Sequence, residues 1–227
     1  QSRALLYGLP LGLLGFVGNW LRIPLFFNFD FLLGSIVVIL VARSLGAFPA
    51  LIASLVASAE TYFLWNHPYA MLSFTCEAVF VGYWHQRRKA NIVLLDGIYW
   101  VVIGMPLVWL CYYNIMGIPH SLAALAILKQ TVNGIFNALT AGLLIILVQS
   151  VLVRTGRRAE GVPFRSVLFD IMVASVLVPG LVFVIASVRT GIREHEEATL
   201  RRLENAFVTA KTLLPRYLVN RMTVGDV

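Results

Sequence analysis

Charge is the scarce ingredient of this chain. Asp, Glu, Lys and Arg make up 13% of its 227 residues, about half the share of an ordinary soluble domain, which excludes a water-facing surface of normal extent. Cysteine is almost missing too. Cys76 and Cys111 both fall inside apolar runs without Cys-x-x-Cys spacing, so both are read as packing residues rather than metal or redox ligands. The sequence holds no phosphate-binding loop, no Gly-x-Ser-x-Gly elbow and no His-Glu-x-x-His pair, and its four histidines are scattered. No catalytic residue, metal ligand or cofactor is therefore expected.

Apolar residues fill the space left by charge. They account for 59% of the chain, and the mean hydropathy is +0.82. The runs break at intervals of roughly 20–25 residues, the length of one bilayer crossing. Seven segments follow: Ala4–Gly18, Pro24–Ala42, Gly46–Leu64, Tyr69–Trp84, Ile92–Tyr113, Leu122–Val153 and Ser166–Val188. The expected fold is all-α, a polytopic membrane bundle of about seven transmembrane helices followed by a charged amphipathic helix. The first segment contains Pro10 and several glycines and is expected to be kinked or only partly spanning. It lacks an Ala-x-Ala cleavage site and is read as a retained helix. Pro106 and Pro179 are expected to kink the fifth and seventh helices. The Gly/Ala stripe from Gly46 to Ala59 lets backbones approach closely, placing the third helix at the centre.

The net charge of +7 does not point to nucleic acid, because the cations gather between apolar runs and near the C-terminus rather than on one face. With the N-terminus cytoplasmic, the inner side receives Arg3, Arg43, Arg87, Arg88, Lys89, Arg154, Arg157, Arg158 and Arg165, and the outer loops receive only Arg22. That asymmetry sets the orientation. Trp65, His67, Tyr112, Tyr113 and His120 then collect at the outer interface, Arg22 reads as an interfacial anchor, and membrane lipid is one partner. Residues 1–188 form the expected transmembrane domain. Residues 189–227 form an extracytoplasmic helical segment, charged, with a three-four seam at Leu200, Leu203, Phe207, Ala210, Leu214 and Tyr217. Such a seam suits a homodimer or a helix packed on its own domain. Pro215 is expected to end that helix.

Ionisable residues at membrane depth are costly and mark sites. Lys129, Glu77 and Glu60 interrupt three apolar segments. Gln130 adjoins Lys129, and Asn133 and Asn137 follow it one and two turns later. Below an aromatic rim of Tyr62, Trp65, His67 and Tyr69, of which His67 and Tyr69 are counted in the site, these residues form the expected site for a small polar or zwitterionic ligand entering from the outer side. Lys129 and Glu77 are expected to share it. The competing reading is a Lys–Glu pair that only holds helices in register. Asp96 and Asp170 lie near helix starts and are expected to complement helix dipoles close to headgroup water.

Several strings carry a resemblance: Leu64-Trp-Asn-His-Pro-Tyr-Ala, Phe74-Thr-Cys-Glu-Ala-Val-Phe-Val-Gly, Tyr99-Trp-Val-Val-Ile-Gly-Met-Pro-Leu and Leu128-Lys-Gln-Thr-Val-Asn-Gly-Ile-Phe-Asn-Ala-Leu. Over about Leu5–Val188 the chain resembles the N-terminal multi-pass membrane region of bacterial sensor histidine kinases and GGDEF diguanylate cyclases. The resemblance implies signal input in a bacterial inner membrane, feeding a kinase or cyclase domain that this chain lacks. Two alternatives remain open: the substrate-binding subunit of a small-molecule transporter, and a structural subunit of a membrane assembly.

Overall fold

In a computed structural model, residues 2–26, 29–155 and 162–224 are described. The first helix, α1 (Ser2–Trp20), runs through Pro10 without a break. Its glycines explain where it lies. A β-carbon on Gly12 would meet Val56 and Ala53, and one on Gly15 would meet Ala57. Those residues belong to α3 (Ala47–Trp65), whose buried stripe includes Ala50, Ala53, Ser54, Ala57 and Ser58. Small residues on both partners let the backbones approach, which substitutes for the hydrophobic drive that lipid cannot supply. The third segment's small face packs closely, as its composition implied, matched by glycines on α1.

The run Pro24–Ala42 is not one helix. It opens as a two-stranded antiparallel hairpin, β1 (Ile23–Phe26) and β2 (Phe29–Phe31), pairing Ile23 with Phe31 and Pro24 with Asp30. Only then does α2 (Gly34–Ser44) begin. Its 11 residues rise about 16 Å, half of a hydrocarbon core about 30 Å thick. Hydropathy gave no warning, because the groups that satisfy the broken backbone come from distant parts of the chain.

The rest of the bundle is helical. α4 (Tyr69–Arg88) follows α3 after Asn66–Pro68, and Asn66 adopts the left-handed conformation that ends α3. A continuous helical run from Ile92 to Ile115 comprises α5 (Ile92–Tyr99), α6 (Met105–Trp109) and two wider π-helical stretches, π1 (Trp100–Gly104) and π2 (Leu110–Ile115). They flank Pro106, whose missing N–H disturbs the regular ladder. Such bulges recur at functional sites, and here each delivers an aromatic residue to a polar cluster. α7 (His120–Arg154) is the 35-residue sixth segment. α8 spans Phe164–Val224, so the helix passes Val188 and also Pro215, which does not end it. Proline removes a single backbone donor, and the neighbouring bonds hold the helix through it.

Among the described residues, four helices are long and apolar enough to cross a membrane: Ala47–Trp65, Ile92–Ile115, His120–Arg154 and Phe164–Phe183. α2 is apolar but shorter. The membrane-helical class stands on these four, not on a confirmed seven. Leu13, Phe63, Val101, Val102, Leu128 and Leu147 are all exposed, a surface stable against lipid and not against water. One core cluster centres on Val38, Ile39, Ala53, Val81, Ile92 and Leu139, with Phe169 and Val173 of α8 packed against it. The other centres on Phe74, Tyr99, Trp100, Val108 and Ala126.

The chain divides into two units at Pro179. In the second unit residues 179–224 are helical, and Leu200, Leu203 and Phe207 are 63–70% exposed. The side chains of Leu214 and Tyr217 and the residues Arg157 and Arg158 lie outside what is described.

Candidate functional site

The polar residues singled out by sequence do not form one site. They separate into four constellations, three of which are engaged chiefly by the protein itself.

The first holds the chain break before α2. Asn133 accepts from Leu32 N at 2.7 Å and donates to Leu32 O at 2.7 Å, and Asn137 donates to the same carbonyl at 2.9 Å. From α1, Asn19 accepts from Gly34 N at 2.7 Å and donates to Ala57 O at 2.9 Å. A helix that begins inside a bundle has orphan N–H groups which must find partners. Asn19 accepts from Gly34 N at the helix start, Asn133 accepts from Leu32 N just before it, and Asn137 donates to the Leu32 carbonyl. Asn133 and Asn137, expected at a ligand, are engaged by backbone, although Asn137 Oδ1 has no partner among the described residues.

The second is an ion-pair cluster at the hairpin. Arg22 approaches Asp30 at 3.4 Å and Glu60 at 3.3 Å, with its own side chain 38% exposed and both carboxylates buried. Arg22 is thus the partner of Glu60 and not merely an anchor. Asp30 escaped the sequence reading because the run around it looked like a single helix.

The third lies deeper. Glu77 is 1% exposed and accepts from Trp100 Nε1 at 2.8 Å. Ser35 and Asp96 stand beside it. Asp96 is fully buried with its carboxyl against that of Glu77, so it does not reach headgroup water as expected. Asp170 is buried as well and accepts from Asn91 Nδ2 at 2.7 Å. That bond links α8 to the residue that caps α5.

The fourth constellation is incomplete. Lys129 is 7% exposed; its Nζ sits over the Trp65 ring, 4.7 Å from the centroid, and has no hydrogen-bond partner among the described residues. Glu77 is not its partner; the acid that acts on Lys129 through space is Asp30, already paired with Arg22. Trp65 stacks on His67 with centroids 6.3 Å apart, and His67 meets Tyr112 edge-on at 5.1 Å and Tyr69 at 5.4 Å. Tyr112, carried by π2, accepts from Gln130 Nε2 at 3.1 Å. Lys129, Trp65, His67, Tyr112 and Gln130 therefore close a ring between the end of α3, π2 and α7. Three buried polar atoms on it have no partner among the described residues: Lys129 Nζ, Gln130 Oε1 and His67 Nδ1. Burial holds the imidazole of His67, in the α3–α4 turn, below its ordinary pKa.

Of the eight expected ligand residues, the ring unites Lys129, Gln130 and His67 with Tyr69 at its edge. Glu60 belongs to the hairpin cluster, Glu77 to the acid pair, and Asn133 and Asn137 to the chain break. Trp65 was expected in the aromatic rim above the site, and Tyr112 was legible only as an interfacial aromatic. Among the described residues no three metal-ligating side chains gather. Comparison with protein-family models, with curated proteins and with solved structures gave no match in any of the three.

Proposed function

We propose that the chain is a membrane-embedded signal-input unit that takes a small polar ligand into the Lys129 ring from the extracytoplasmic side. The observation that carries this reading is the buried Lys129 ammonium without a hydrogen-bonding partner among the described residues. A cation at membrane depth is maintained only where something useful offsets its cost. The route from the site toward the cytoplasmic side runs along α7. From Lys129 to Gly142 this helix rises about 20 Å, and a β-carbon on Gly142 would touch Asp170 of α8. A ligand that favours one tilt of α7 shifts the position of α8 by its differential affinity for the two states, and α8 passes the change to a following output domain. Arg43, Arg87, Arg88, Lys89 and Arg154 mark the cytoplasmic end by the positive-inside rule. The exposed Leu200, Leu203 and Phe207 support pairing with a second copy.

The test uses the chain in nanodiscs with spin labels at Leu147 and Ile171, both exposed. A small polar compound that raises the melting temperature must also shift the distance between the labels. Binding without that shift refutes signalling, and accumulation of the compound inside sealed liposomes assigns the site to transport.

A further inference from the structure

The unpartnered atoms of the ring require different things, and together they describe a ligand. Lys129 Nζ is a cationic donor and needs an anionic acceptor. Gln130 Oε1 is an acceptor and needs a donor, since the other end of its amide is bound to Tyr112. The indole face of Trp65 offsets part of the cost of the ammonium but supplies no hydrogen bond. Asp30 cannot close the gap, because its carboxylate pairs with Arg22. Lys129 and Gln130 follow each other on α7, and both reach the aromatic cluster, one over Trp65 and the other onto Tyr112, so a single small molecule carrying both complementary groups can meet them.

We propose that the ligand is a small carboxylic acid bearing an adjacent N–H or O–H donor, an amino acid or hydroxy acid. Its carboxylate binds Lys129 Nζ and its donor binds Gln130 Oε1, while its carbon skeleton lies against Trp65, His67 and Tyr112. This rests on the ligand-input reading and narrows it. A lipid phosphate has the same charge but sits at headgroup level. Lys129 lies nine residues into α7, about 13 Å along the helix, with its Nζ closed off by protein.

The experiment measures thermal unfolding of the whole chain in phosphatidylcholine nanodiscs. The probes are the common amino acids with lactate, malate and propionate, their methyl esters, amines without a carboxylate such as putrescine, and neutral glycerol and glucose. At least one acid is expected to raise the melting temperature while its ester does not. Lys129→Met is expected to abolish that rise, yet to raise the melting temperature of the ligand-free chain because it removes an uncompensated buried cation. Gln130→Leu is expected to keep carboxylate binding but lose about tenfold in the preference for lactate over propionate. Stabilisation by amines or polyols with the acids inert overturns the carboxylate class and leaves signal input standing. Silence across all three classes overturns both. A rise that needs phosphatidylglycerol in the disc and no soluble acid assigns Lys129 to lipid and overturns the proposal.

Discussion

Asn133 grips the Leu32 peptide with both ends of its amide, accepting from the nitrogen and donating to the oxygen at 2.7 Å each across 101 residues of sequence. It does for a broken membrane segment what a neighbouring strand does in a sheet. The half-helix α2 starts inside the bundle because this bond, with those of Asn137 and Asn19, replaces the water that the site excludes.

Asn133→Ala should therefore destabilise the chain by about 1–3 kcal/mol, the cost of leaving buried backbone groups unpaired. Asn137→Ala removes one bond and should cost less. The denaturant or thermal midpoint in detergent measures both. Loss of ligand response with unchanged stability would return these residues to the ligand site.

Arg22→Leu strands two buried carboxylates. A fully buried pair broken on one side loses about 3–5 kcal/mol; with the guanidinium 38% exposed, screening by solvent reduces the expected loss to about 1–2 kcal/mol. Combining Arg22→Leu with Asp30→Asn and Glu60→Gln should recover most of it. A single variant as stable as the parent shows that the cluster is decorative.

Gly134→Ala should act at a distance. Its β-carbon would overlap Trp100 Nε1, the atom that donates to Glu77, so the indole must turn away and leave the carboxyl without its donor. The expected loss is about 2–4 kcal/mol. Trp100→Phe in the Gly134→Ala background should cost little more, and additive losses would refute the coupling.

Acidification should loosen the ring. The folded-state pKa of His67 lies below its unfolded value through burial, so the unfolded chain binds the proton first. The stability that neutral His67 contributes is fully present above the unfolded value of about 6.5 and is lost as pH falls through the folded one. Stability against pH should fall with a slope of up to one proton below that point, and His67→Asn should remove that portion. A parent and variant with parallel pH profiles sink this assignment.

Cysteine pairs test the tail. Single cysteines replacing Leu203 or Ala210 should cross-link between copies in the membrane, and those replacing Glu204 or Asn205 should not. Uniform cross-linking, or none, favours a helix without a second copy on its seam.

By itself, the sequence determined the class of the molecule and its helical frame. A 13% charged composition and 20-residue apolar runs admit only a membrane helix bundle, and the segments at Gly46–Leu64, Tyr69–Trp84 and Leu122–Val153 sit within one to four residues of α3, α4 and α7. It also singled out Lys129, because a cation in an apolar run is visible without any partner. What the tertiary structure alone decided is who meets whom. Hydropathy sums residues along the chain, whereas a buried polar group is satisfied by whatever lies across the bundle. The break at Leu32 is stable only because Asn133 arrives from α7. Glu60 pairs with Arg22 from just beyond α1, and Glu77 answers to Trp100, which leaves Lys129 over the Trp65 ring without a hydrogen-bond partner among the described residues. None of these pairings has a periodicity along the chain, so none was there to be read.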